Sequence, residues 1–69
     1  MSRYTISVMD ENGYSIPLKR AKDTRDNFMQ AAWNFSQHAT LCDVVVTCGS
    51  KHVVTYRDGK TTRLNGKER

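Results

Sequence analysis

A chain of 69 residues has material for one hydrophobic core, which excludes a second domain and leaves no room for an enclosed substrate cleft. Its 38% hydrophobic and 26% charged residues are those of an ordinary globular fold and exclude a disordered chain. The net charge of +4 is unevenly placed: residues 1–50 balance five cations with five acids, whereas residues 51–69 set six cations against Asp58 and Glu68. An excess gathered at one end points to an electrostatic partner, a nucleic acid or an acidic protein surface.

Tyr4, Ile6 and Val8 alternate with Thr5, Ser7 and Met9, the period of a half-buried strand. Asn12-Gly13 follows as a hairpin turn, since both residue types tolerate positive φ, and Tyr14, Ile16 and Leu18 resume the alternation. Pro17 has no amide hydrogen to give to a ladder, so the second strand belongs at a sheet edge or is bulged there. After the basic connector 19–22, Asp23 or Thr24 caps a helix and Asp26 sits at its positive end. On a helical wheel Phe28, Ala31, Ala32, Phe35 and Ala39 share one arc, the face expected on the sheet, while Met29 and Trp33 fall outside it.

The segment 41–48 is the most apolar strand and is therefore expected to be central, with Val44 and Val46 on one face and Val45 on the other. Beyond Gly49-Ser50 a strand marked by Val54 and Tyr56 turns at Asp58-Gly59 into a last strand over 60–64. Strict alternation sets Lys51, Val53, Thr55 and Arg57 on one face and His52, Val54 and Tyr56 on the other, which makes Tyr56 a core residue. The expected fold is α+β: ββαββ with a short fifth strand, one mainly antiparallel sheet and a single helix on one face. Residues 1–64 form this domain, and 65–69 form a disordered basic tail.

His38, Cys42, Cys48 and His52 are metal-ligand types within one short span. The two cysteines stand at opposite ends of an extended strand, about 20 Å apart, which is far from zinc-site spacing and too far for a disulfide. They read as small core residues of a reducing compartment. Residues 1–10 contain charges and no apolar leader, and no uncharged stretch approaches the roughly 20 apolar residues of a membrane helix. A cytoplasmic location without membrane contact is expected. No nucleophile-and-base pattern is present, the four glycines are isolated, and nearly every acid is accounted for by the helix start or by turns, Asp43 being the exception. The expectation is a protein that is not an enzyme, with no cofactor, no metal and no small-molecule substrate.

Two readings of function follow. In the first, Arg57, Lys60 and Arg63, supported by Lys51 and Lys67, form a basic C-terminal hairpin that contacts nucleic acid, because cations neutralise phosphates and release counterions. In the second, Trp33 and Met29, displaced from the core face of the helix, anchor a protein partner, and the chain is an inhibitor or adaptor. A free sheet edge adds strand addition or a homodimer. A strand ending in Ile16-Pro17, a helix with Ala31-Ala32-Trp33 and a Val-rich strand after it resemble small phage-encoded inhibitors of host RNA polymerase over about half of the chain. That resemblance implies an inhibitor of a host enzyme and carries over no functional residue.

Overall fold

The first alternating run folds back on itself at Asp10, whose carboxylate Oδ1 accepts the Asn12 and Tyr14 amides at 3.0 Å each while Gly13 takes φ 86°. This turn joins β1 (Arg3–Met9) to β2 (Ser15–Lys22) in a computed structural model that describes residues 2–39 and 41–68. The chain continues through α1 (Arg25–Ser36), β3 (Asp43–Cys48), β4 (Lys51–Arg57), β5 (Lys60–Leu64) and β6 (Lys67–Glu68). All strand pairs are antiparallel, and the sheet order is β2-β1-β3-β4-β5-β6. This is the α+β fold expected, with one strand more.

β2 is an edge strand and is also bulged: Ile6 pairs with Lys19 but Ser7 with Pro17, so Leu18 is an extra residue beside the proline. Both consequences of the missing amide hydrogen are thus realised. Thr24 is the N-cap of α1, its hydroxyl accepting the Asn27 amide at 3.3 Å, and Asp26 lies in the first turn. Asp23 supports the cap, and hydrogen bonds from the Asn27 side chain and the Thr24 amide hold its carboxyl below the ordinary carboxylate value.

The helix packs over β3, with β4 and β1 on either side, and closes a core of Ile6, Phe28, Ala32, Val44, Val46, Val53, Val54 and Tyr56. Its buried stripe is Phe28, Ala32 and Ser36, whereas Phe35 is 42% exposed. The wheel arc is therefore rotated by about 50° towards Trp33 relative to the apolar pattern. The cause is polar: the Ser36 hydroxyl accepts the Gly59 amide at 3.1 Å and donates to the Trp33 carbonyl at 2.7 Å, which pins the last turn to the β4–β5 connection. Only the second half of β2 reaches the helix side of the core, where the Lys19 ammonium stands 5.5 Å from the Phe28 ring centroid and Ala21 packs on the core, while Tyr14, Ile16 and Leu18 stay exposed.

Three expectations are corrected. The central strand begins at Asp43, because Leu41 takes φ 64° and turns the chain, leaving it exposed and Cys42 outside the strand; Cys48 packs against the core, and both cysteines are half-buried and unpaired. The segment 65–68 is ordered: Asn65 and Gly66 form a turn with φ 51° and 82°, the Asn65 amide donates to the Val53 carbonyl at 2.9 Å, and β6 pairs with β5. Arg69 lies outside the described residues. Finally, alternation along β4 breaks at Val53. Val46 pairs with Val54 but Thr47 pairs with His52, so Val53 is a bulge that enters the core beside Val54. One extra residue inverts the parity of everything before it. His52 therefore lies on the face of Thr55, and Lys51, paired with Cys48, lies on the helix side.

Candidate nucleic-acid interface

The sheet has one face under the helix and one without cover. Register assigns the uncovered face Thr5, Ser7 and Met9 from β1, Asp43, Val45 and Thr47 from β3, and Thr55 and Arg57 from β4. Lys60 is opposite Arg57, and Arg63 is opposite Thr55, so both project from this face. Their strand is bulged at Thr62, whose hydroxyl donates to the Thr55 carbonyl at 3.3 Å. Three of the five predicted cations, Arg57, Lys60 and Arg63, are thereby brought together. Lys51 and Lys67 are not: they pair with Cys48 and Leu64 and belong to the helix side.

Arg57 is partly engaged. Its Nη1 meets Asp43 Oδ1 at 3.4 Å, the one ion pair among the described residues, with both side chains more than a third exposed. Such a pair is worth about 0–1 kcal/mol and yields easily to a competing anion. Between these cations and β1 lies a shallow depression of about 470 Å³ lined by Met9, Asp43, Val45, His52, Thr55, Thr62, Arg63 and Glu68. His52 anchors its rim. The Gly66 amide donates to His52 Nδ1 at 2.8 Å, which leaves the proton on Nε2 to donate to Thr55 Oγ1 at 2.7 Å. Burial, and next the positive charge of Arg63, hold the imidazole below its ordinary pKa of 6.5, so the neutral ring fits both bonds. Tyr56 faces the other way, buried under the helix, and burial raises its hydroxyl above the ordinary value of 10.0.

Sequence reasoning missed three further cations on the same face. Arg3 pairs with Lys22 and Thr5 with Arg20, which sets Arg3, Arg20 and Lys22 on the uncovered side at the far end of the sheet. The alternation of β1 already implied this for Arg3, but the bulge at Leu18 hid the parity of Arg20 and Lys22.

The predicted protein-binding pair is also brought together. Met29 and Trp33 line a shallow groove of about 300 Å³ with Asp26, Gln30 and Tyr56. Met29 is half-buried against the core, and Trp33 is 38% exposed with its Nε1–H donating to the Gly59 carbonyl at 2.8 Å. The polar group that makes tryptophan a good interface anchor is used inside the molecule. Among the described residues no cluster of three or more His, Cys, Asp and Glu could hold a metal, and no helix is long and apolar enough to cross a membrane.

No known protein family matches this chain, and no curated protein or solved structure is significantly similar to it.

Proposed function

We propose that the protein is a non-enzymatic module that binds nucleic acid through the uncovered face of its sheet, with Lys60 and Arg63 as principal cations and Arg57 joining them once it exchanges Asp43 for a phosphate. The observation that supports this reading is the convergence of these three side chains on a helix-free, hydroxyl-rich surface. Among the described residues six cations lie on that face, Arg3, Arg20, Lys22, Arg57, Lys60 and Arg63, against two acids, Asp43 and Glu68. Cations held on a rigid sheet lose less entropy on meeting phosphates than cations on a tail.

Binding of this kind is electrostatic and releases counterions, so affinity for a labelled DNA should fall steeply between about 50 and 200 mM salt. The double variant K60A/R63A should bind more weakly and reduce the slope of log K against log salt by about 1.8. An affinity indifferent to salt would end the proposal.

A further inference from the structure

The cations of the β4–β5 corner have a counterpart at the opposite corner of the same face. Arg3 and Arg20 border a depression of about 570 Å³ with Ser2, Thr5, Cys48 and Gly49, and Lys22 stands across the ladder from Arg3. No acid lines this depression, and all three cations are exposed and form no ion pair among the described residues. Between the corners runs a floor of Thr5, Ser7, Val45 and Thr47, partly exposed short side chains of which the three hydroxyls can meet phosphates, while the Thr55 hydroxyl is buried and held by His52.

From β2 to β5 the sheet takes four inter-strand steps of about 4.8 Å, and Arg3 stands six residues along β1 from the level of Arg57, so the two clusters face each other diagonally, about 20–30 Å apart. That span is wide enough for the two corners to flank a major groove about 12 Å wide. The face also lacks something. None of its described residues is Phe, Tyr or Trp, and His52 is tied by two hydrogen bonds. Proteins that hold single strands stack bases on aromatic rings, each worth about 1–3 kcal/mol. A surface without rings lacks the main stacking platform for unpaired bases and leaves only arginine planes for that purpose, whereas a duplex presents its phosphates outward to cations and hydroxyls.

We infer that the partner is a nucleic-acid duplex, and that Arg3, Arg20 and Lys22 form the second half of a two-part site whose corners hold backbone phosphates on either side of one groove. This rests on the nucleic-acid reading above and adds to it the form of the ligand and three residues from the electrically balanced part of the chain.

The test is fluorescence anisotropy with a labelled 20-base-pair DNA of mixed sequence, and with the same labelled strand alone, across about 50–200 mM salt. Duplex should bind at least tenfold more tightly than single strand. The triple variant R3A/R20A/K22A should lower the salt slope by about 2.7, about 0.9 for each lost phosphate contact, whereas R3K/R20K, which keeps the charges, should leave the slope unchanged. All these positions are exposed, and circular dichroism with Trp33 fluorescence checks that the variants fold. Equal or tighter binding of single strand would overturn the duplex assignment. A salt slope unmoved in the triple variant but reduced in K60A/R63A would overturn the second cluster and leave the nucleic-acid reading standing. Absence of binding to both probes by the unaltered protein would overturn that reading itself.

Discussion

Trp33 and Gly59, 26 residues apart in the chain, are joined by an indole N–H to carbonyl hydrogen bond of 2.8 Å, and the Gly59 amide returns a bond to Ser36 on the next turn of the helix. A single glycine thereby ties the end of α1 to the β4–β5 hairpin by both of its backbone groups. Gly59 is suited to this on two counts: its φ is +78°, and a Cβ there would stand 3.1 Å from the Gln37 Cγ.

Gly59→Ala should therefore lower stability by about 1–2 kcal/mol from the left-handed backbone alone, with further loss if Gln37 cannot move. Trp33→Phe, which keeps most of the ring and removes the donor, should cost about 1 kcal/mol. Denaturant titration followed by circular dichroism checks both. A neutral Trp33→Phe would mean that the indole bond contributes nothing and that the ring remains available to a partner.

Protonation of His52 should loosen the C-terminal turn. The folded pKa lies below the ordinary value of 6.5, so as pH falls the unfolded chain takes up its proton first. Stability is fully present above about pH 6.5 and is lost as pH drops through the folded value. The charged ring must also release the Gly66 amide, because Nδ1 ceases to accept. Melting temperatures between pH 8 and 5 should fall for the native chain and fall less for His52→Ala, and the protection of the Gly66 amide against hydrogen exchange, measured relative to its intrinsic rate at each pH, should fall in the same range.

Asp43→Asn removes one of the two acids of the uncovered face and releases Arg57. Stability should change by less than about 1 kcal/mol, as for other exposed ion pairs. Affinity for DNA should rise several-fold at low salt and converge with the native value at high salt, where screening shortens the reach of every charge. Anisotropy at two salt concentrations is sufficient.

Self-association through β2 is disfavoured by the strand itself. Pro17, the bulge at Leu18 and the cations Lys19, Arg20 and Lys22 are devices that blunt a sheet edge, and antiparallel pairing of two copies would crowd three cations from each into one ladder. Sedimentation velocity at NMR concentrations should report a monomer, and a dimer that dissociates on addition of Asp to β2 would contradict this.

Much of the fold was legible in one dimension because its signals are local. The alternation of Tyr4, Ile6 and Val8, the turn at Asn12-Gly13, the cap at Thr24 and the turn at Asp58-Gly59 each depend on neighbours a few residues away. Pro17 placed its strand at an edge through the chemistry of a single amide. The valines at 44 and 46 announced a central strand through their apolar content.

What escaped were features that need a partner far along the chain. The wheel counts apolar residues and so places Phe35 in the core, yet a hydroxyl and an indole bonded to Gly59 roll the helix and bury Ser36 instead. The ordered turn at Asn65 and Gly66 needed acceptors on Val53 and His52. The site itself depends on parity: strand period alone could not reveal that bulges at Leu18 and Val53 would bring Arg20 and Lys22 to the uncovered face and send Lys51 away from it. Residue types and their spacing thus determined which segments extend, turn or coil, and how many charges exist. Only the pairing of strands decided which charges share a surface, because a face is set by register, and one inserted residue reverses it.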